Sequence, residues 1–348
     1  MTNVSRKGED IRRYILEHVE RHPNDIGKIT AEHFGITRQG VNKYLQKLCS
    51  EQVLTKSGKT RGSAYKLAVL SEWRESFQIT PNLAEDLVWT NSIRSIISSL
   101  PNNILDIWHY GFTEMFNNAI DHSGGSEILI VIKKNAVNTE MLLIDNGVGI
   151  FNKIKTELNL LDERHAIFEL HKGKLTTDPK SHTGEGIFFT SRMFDSFDIL
   201  SGGVFFSNKF GDDRDWILEN DKFSTGTAVW MELNNHKART MKSIFDKFTS
   251  KADYGFNRTV VPVRLAQYGD DKLISRSQAK RVLARVELFR IVIFDFKNVD
   301  YIGQAFADEI FRVFAQNHPN IELNVINVNP EIEKMIKRAR NARVHGGS

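Results

Sequence analysis

Apolar residues recur with a helical period along the first 50 residues of the chain. Residues 9–21 predict a helix, and residues 29–48 predict two more, because Gly35 allows a tight turn between two periodic stretches. Thr30 and Thr37 are the expected caps of the second and third helices. The apolar face of the first helix consists of Ile11, Ile15 and Val19. The third helix would bury Val41, Tyr44, Leu45 and Leu48.

The other face of the third helix is polar, and a basic segment follows it. Residues 53–67 predict two short strands around a glycine-containing tip that carries Lys59 and Arg61. The helix presents side chains that can contact phosphates and base edges, namely Arg38, Gln39, Asn42 and Lys43. These features resemble a winged helix-turn-helix, which implies DNA binding. A small protein-interaction module with a solvated basic face is the alternative interpretation.

An α+β pattern occupies the middle of the chain. Residues 73–90 contain Pro81 and predict a linker with an entering strand. Residues 151–181 are polar and predict a mostly loop-like segment with one short helix. The remaining signals are a helix at 101–122, two strands within 126–145, and strands at 197–206 and 226–233.

Strands alternate with helices after residue 250, which predicts a small α/β sheet domain. Its expected elements are strands at 258–266, 290–296 and 321–328 and helices at 275–286, 306–317 and 330–343. The whole pattern predicts a multidomain α+β protein. The three expected domains span 1–72, 73–250 and 256–345.

Charge is distributed unevenly along the 348 residues. Residues 1–70 carry 13 Lys and Arg against 7 Asp and Glu, a net charge of +6, whereas residues 71–348 carry 34 against 36. The basic excess at the N-terminus indicates an anionic partner for that segment. The single Cys49 excludes an internal disulfide, and no apolar run is long enough for a membrane span. We therefore expect a cytoplasmic protein without a membrane partner.

The predicted helix at 101–122 has an apolar face and a polar stripe. Glu114 and Asn118 stand one helical turn apart on that stripe, and Asp121 follows them. A carboxylate and an amide oxygen at this spacing could order Mg²⁺ and a water molecule beside a triphosphate. Taken alone, the stripe fits a solvated surface helix better than a ligand site. The apolar face consists of Phe112, Met115, Phe116, Ala119 and Ile120.

Three further stretches carry glycine beside a strand or helix. The sequence LLIDNGVGI ends an apolar strand at Asp145, and HTGEGIFF places two glycines directly before an amphipathic segment. Glycines there let backbone N–H groups approach phosphate oxygens at a helix N-terminus. The third stretch, STGTAVW, begins a strand at Thr227.

In this order, the motifs resemble the ATP-binding fold of gyrase, MutL, histidine kinases and anti-sigma-factor kinases, known as the GHKL family. The resemblance covers roughly residues 100–235, and it implies ATP and Mg²⁺ as ligands. It implies that Asn118 coordinates Mg²⁺, that Asp145 accepts a hydrogen bond from the adenine amino group, and that Glu114 is the general base. The chain has no G-x-x-x-x-G-K-[ST] loop, which excludes a P-loop site.

The same resemblance assigns the remaining site residues. Gly147 and Gly149 would keep space for the base and sugar, and Thr227 would assist Asp145. Residues 151–181 would form a mobile lid, in which Lys172 or Lys174 could meet phosphates. The other positions expected at the nucleotide are Asp121, Thr183, Gly184, Gly186 and Ile187.

The C-terminal stretch 292–314 resembles the STAS domain of anti-sigma-factor antagonists. Its loop contains no Ser or Thr between Asp300 and Asp308, so Tyr301 is the nearest hydroxyl. We therefore expect a STAS-like interaction domain that binds a protein partner and is not itself phosphorylated.

The combined pattern predicts a regulator in which bound ATP changes DNA binding. The alternative is a serine/threonine protein kinase of the anti-sigma-factor type that acts on a partner protein. A histidine kinase would need a paired-helix dimerisation segment, which residues 71–100 do not suggest, and a gyrase-like enzyme would need a large transducer domain after residue 235. A homodimer is expected because winged helices often read paired half-sites.

Overall fold

The chain is a multidomain α+β protein that ends in a small α/β domain. Two candidate site residues, Arg61 and Thr183, lie outside the residues that the structure describes. Within the described part of the chain, no helix is long and apolar enough to cross a membrane. The computed structural model describes residues 6–59, 62–175, 184–209, 212–219, 225–249, 255–267 and 272–341.

The N-terminal region has an apolar core of its own, which the three predicted helices and the hairpin enclose. Gly35 adopts a left-handed conformation (φ 60°) after the second helix, and Thr37 Oγ1 accepts a hydrogen bond of 3.1 Å from Gly40 N. The prediction that Thr30 caps the second helix is wrong. That helix begins after Asp25, so Thr30 lies buried within it. The elements are α1 (Arg6–His18), α2 (Ile26–Phe34), α3 (Arg38–Ser50), β1 (Leu54–Ser57) and β2 (Ala64–Leu67), and the two strands are antiparallel.

The central region is a seven-stranded antiparallel sheet with helices packed on it. The strand order is β3-β4-β5-β9-β6-β7-β8. Its strands are β3 (Ser71–Gln78), β4 (Glu127–Lys134), β5 (Asn138–Asp145), β6 (Ser196–Ser201), β7 (Val204–Lys209), β8 (Asp212–Glu219) and β9 (Thr227–Asn234). Its helices are α4 (Glu85–Val88), α5 (Arg94–Ile97), α6 (Asn102–His122), α7 (Ile150–Glu157), α8 (Glu163–Lys172), α9 (Gly186–Met193) and α10 (Met241–Phe248).

Several parts of this region differ from the sequence-based expectation, and the strand predicted at 197–206 is two antiparallel strands, β6 and β7. The segment after β5 forms α7 and α8 rather than a mostly loop-like stretch, and residues 165–172 are all buried. Glu169 and Lys172 of α8 contact the C-terminal region, and His171 contacts Arg192 of the central region, which local periodicity does not reveal. Strand β8 was not predicted. The rest of the proposed lid, residues 176–183, lies outside the described residues.

The C-terminal region is a three-stranded parallel sheet with helices, as its alternating pattern predicted. Its apolar residues join those of the central region in one continuous core. The elements are β10 (Arg258–Pro262), α11 (Arg276–Leu283), β11 (Ile291–Asp295), α12 (Gln304–Asp308), α13 (Ala315–Asn317), β12 (Glu322–Ile326) and α14 (Pro330–Asn341). A π-helical turn, Glu309–Phe314, joins α12 to α13.

Candidate functional site

Helix α6 supplies one wall of a cavity in the central region. Its predicted apolar face packs into the core, where Phe112 and Phe116 are fully buried. The polar stripe on the other side therefore points away from the core, and Glu114 and Asn118 both line the cavity. Burial of the apolar face thus determines which way the two polar side chains point.

Asp145 lies at the floor of this cavity, at the end of β5. Only 5% of its surface is exposed, and its register partner on β9 is Thr227. Burial raises the pKa of Asp145, while hydrogen bonds from Gly147 N, at 2.9 Å, and from Thr227 oppose the rise. A buried carboxylate with donors on one side can accept a further hydrogen bond from a ligand.

Thr227 connects Asp145 to the next strand and helix. Its Oγ1 accepts a hydrogen bond of 3.0 Å from Ile150 N at the start of α7, and it lies 3.5 Å from Ser201 Oγ. Ser201 Oγ in turn donates to Gly226 O at 2.9 Å. These contacts hold the floor of the cavity in one arrangement.

The N-terminus of α9 forms the opposite wall. A Cβ on Gly186 would lie 2.0 Å from Glu114 Oε2, so glycine is required for the carboxylate to approach this closely. Gly184 has φ 69°, and a Cβ there would lie 2.4 Å from Leu175 C. Burial raises the pKa of nearby Tyr110, and the negative charge of Glu114 raises that pKa further.

The cavity has a volume of about 310 Å³ and unites most of the predicted nucleotide site. The predicted residues that line it are Glu114, Asn118, Asp145, Gly184, Gly186, Ile187 and Thr227. These residues come from α6, β5, β9 and the turn into α9, which are far apart in the sequence. Only the folded sheet brings them together.

Three other described residues of the predicted site do not line the cavity: Asp121, Gly147 and Gly149. Asp121 is exposed near the end of α6. A Cβ on Gly147 would lie 2.2 Å from Ser123 O, and one on Gly149 would lie 2.7 Å from Ser201 Oγ. Protein atoms therefore lie close to both glycines, and the expectation that they keep space for the base and sugar stays a prediction.

The lysines expected to meet phosphates lie elsewhere. Lys172 Nζ contacts Glu169 and the C-terminal region, and Lys174 Nζ donates to Leu288 O at 2.9 Å. Among the described residues, the lysine that lines the cavity is Lys153 on α7, whose Nζ lies 3.7 Å from Glu157 Oε1. Sequence reasoning missed it because its segment was predicted to be a loop. Other polar lining residues not assigned from sequence are Asn117, His122 and Ser123.

The described DNA-binding candidates lie on an exposed surface of the N-terminal region. Arg38, Gln39, Asn42 and Lys43 are all exposed on α3, and Lys59 is exposed at the hairpin tip. The buried side of α3 carries Val41, Leu45 and Leu48, so the polar face points away from the core of this region. The surface is available for a partner.

A comparison with known protein families bears on the C-terminal region. Residues 278–333 match a family described as a STAS-like domain of unknown function (DUF4325). A search of curated proteins found no match. The C-terminal region is therefore STAS-like, as its sequence indicated, whereas the interpretations of the other two regions stay predictions.

Proposed function

We propose that this protein binds ATP with Mg²⁺ in the central cavity and uses the bound nucleotide to change DNA binding by its N-terminal region. The observation that carries this proposal is the convergence of the GHKL-like motifs on one cavity of about 310 Å³. Small-molecule sites commonly span about 300–1,000 Å³ and combine apolar walls with a few polar groups. The cavity has this character.

The floor of the cavity suits adenine. Asp145 is buried and ionisable, and the neighbouring Thr227 can orient it. The adenine amino group would donate to the Asp145 carboxylate, while apolar residues such as Ile187 and Val229 would contact the ring faces. A buried polar group needs such a partner, which makes the recognition selective.

The opposite end of the cavity suits phosphates and Mg²⁺. Mg²⁺ in nucleotide sites uses one or two protein ligands together with phosphate oxygens and water. Asn118 supplies an amide oxygen, the turn at Gly184 and Gly186 brings backbone N–H groups to a helix N-terminus, and Lys153 adds a positive charge. This donor set fits a Mg²⁺–triphosphate.

Glu114 would act as the general base if the nucleotide is hydrolysed. Its carboxylate would take a proton from a water molecule as that water attacks the γ-phosphorus. The bond from the γ-phosphorus to the β–γ bridging oxygen would break, and ADP would leave with that oxygen. The closeness of its carboxylate to Gly186, at the start of α9, supports this role. Substitution by Gln should therefore spare ATP binding and abolish hydrolysis.

The proposed effect of bound ATP on DNA binding, which we call the switch, is tested by measuring DNA affinity with and without ATP and Mg²⁺. Fluorescence anisotropy with labelled duplexes of mixed sequence would show a change in Kd when nucleotide is added. The same change should be absent in Asp145→Asn. Equal DNA affinity in both conditions would reject the switch, even if ATP binds.

Incubation with γ-labelled ATP distinguishes the switch from the protein-kinase alternative. The switch predicts label retained in ATP or released as inorganic phosphate. Label transferred to a serine or threonine of this chain, or of a protein added from cell extract, would favour the kinase. The STAS-like region itself offers only Tyr301 as a hydroxyl between Asp300 and Asp308.

Asp145→Asn is expected to weaken ATP binding about ten- to hundredfold, because a hydrogen bond to a charged group contributes about 1.5–3 kcal/mol. Isothermal titration calorimetry with Mg-ATP would measure the change in affinity. Asp106→Asn is the matched control, because Asp106 is exposed on α6 and does not line the cavity, and it should change the affinity by no more than about twofold. Unchanged binding by Asp145→Asn would reject this adenine site.

A further inference from the structure

The side of α8 that faces away from the cavity carries a fully buried lysine. Lys172 has 0% exposure, and its ammonium group donates to Glu169 Oε1 at 2.7 Å, Ala284 O at 2.7 Å and Arg281 O at 3.1 Å. All three N–H donors therefore have acceptors. The two carbonyl groups end α11, so this lysine links the central region to the STAS-like region.

Arg285 completes the link from the C-terminal side. Its Nη1 lies 3.2 Å from Glu169 Oε2, and its Nη2 donates to the carbonyl oxygens of Lys174 and Gly173. The Glu169 carboxylate thus holds one cation with each oxygen. Arg285 has φ 62°, a left-handed conformation that is unfavourable for a residue with a side chain. We call Glu169, Lys172 and Arg285 the clamp.

Two further hydrogen bonds join residues 172–174 to the C-terminal region. Thr259 Oγ1 on β10 donates to Lys172 O at 2.7 Å, and Lys174 Nζ donates to Leu288 O at 2.9 Å. The end of α8 is therefore attached to β10, to the end of α11 and to the turn that follows it. While these hydrogen bonds are kept, residues 172–174 can move little relative to the C-terminal region.

The clamped stretch is also part of the cavity wall. Leu170 and Leu175 line the cavity, and Leu175 N donates to Gly184 O at 3.0 Å. Arg285 bonds to the carbonyl of Lys174, and the next residue along the chain bonds to Gly184. Gly184 begins the turn expected to hold phosphates. The turn at 281–288 is thus joined to the phosphate end of the cavity through one short stretch of chain.

We propose that the clamp residues are positioning residues of the nucleotide site, through which the STAS-like region controls nucleotide affinity. This inference rests on the proposed ATP binding. Movement of the 281–288 turn, for example when a partner binds the STAS-like region, shifts Leu175 and Gly184 and so changes the phosphate site. Coupling between two sites is reciprocal, so bound ATP also stabilises the 281–288 turn.

Arg285→Ala tests the clamp, because this side chain is 21% exposed and its removal leaves Lys172 paired with Glu169. Mg-ATP affinity, measured by calorimetry, should fall about tenfold, within the range of known couplings between sites. Lys334→Ala is the matched control, since that side chain is 71% exposed on α14 of the same region. It should bind ATP like the wild type. Arg285→Lys should restore part of the affinity, because Lys can still pair with Glu169.

Hydrogen exchange on the wild-type protein gives a second measurement that does not depend on a variant folding. Saturating Mg-ATP should slow amide exchange in residues 281–288 as well as at the cavity. Wild-type affinity in Arg285→Ala, or exchange at 281–288 unaffected by ATP, would overturn the clamp while leaving ATP binding intact. A wild-type protein that binds no ATP would instead reject the proposed function, and the clamp with it.

Discussion

Asp145 shows how much a single residue depends on its surroundings. In the sequence it reads as the last residue of a strand before a turn. In the fold it is buried, bonded to Gly147 N at 2.9 Å, and opposite Thr227. Burial raises its pKa above the ordinary value of an aspartate, and the hydrogen bonds reduce that rise.

This raised pKa predicts how ATP binding depends on pH. A proton on the carboxyl group occupies one of its acceptor sites, whereas the ionised carboxylate keeps all of them free for hydrogen bonds. Bound adenine therefore favours the ionised form of Asp145. ATP affinity should therefore fall as pH is lowered through the raised pKa, beginning at a higher pH than for an exposed aspartate. Titrations at stepped pH would measure the fall. Asp145→Asn should lack this component, and an identical pH profile in both proteins would contradict it.

At the scale of whole helices, the contact between α6 and α9 determines the shape of the candidate nucleotide site. A Cβ on Gly111 would lie 2.4 Å from Phe194 Cε2 and 3.3 Å from Thr190 Cγ2. The Phe194 ring also packs edge-on against Trp108, with 4.7 Å between ring centroids. Because α9 begins at Gly186, the distance between these two helices also sets the distance between Gly186 and Glu114.

Gly111→Ala is accordingly expected to destabilise the protein by about 1–3 kcal/mol, the usual cost of overpacking a core. Denaturant unfolding followed by circular dichroism would measure it. Gly27→Ala in α2 is the control, since the nearest atom to a Cβ there is 3.7 Å away, an ordinary contact. If Gly111→Ala is as stable as the wild type, the two helices can separate without cost.

Helix α8 shows the limit of element prediction. Its ten residues include several polar and charged ones, and their pattern predicted part of a loop-like lid. The segment is buried because Ile167 and Phe168 join the apolar core and because Glu169 and Lys172 are bonded to each other and to the C-terminal region. Elements with a regular apolar period, such as α6 and the strands β4 and β5, were predicted correctly.

The arrangement of charge belongs to the whole molecule. The net charge of +6 lies within residues 1–70, and the described candidate side chains for DNA contact are exposed there. Electrostatic binding to a phosphate backbone releases counterions, so its strength falls with salt. An N-terminal region that binds DNA should show this dependence.

Substitution of both Lys59 and Arg61 by Ala is expected to weaken DNA binding. It should also reduce the slope of log K against log salt by about one unit for each phosphate that is no longer neutralised. Anisotropy titrations at several salt concentrations would give the slope. Lys334→Ala, which also removes an exposed lysine, should leave it unchanged. If the substitutions leave the slope unchanged, a protein-interaction role is favoured for this region.

The sequence by itself determined the elements with a regular apolar period, such as α6, β4 and β5, the STAS-like character of the C-terminal region and the motifs that suggest a nucleotide site. These properties depend on local periodicity and on short stretches of residues. Tertiary structure decided which side chains share the cavity. It placed Lys153 in the lining, turned Lys172 towards α11, and filled the space beside Gly147 with Ser123. These outcomes depend on contacts between residues distant in the chain, which local patterns do not encode.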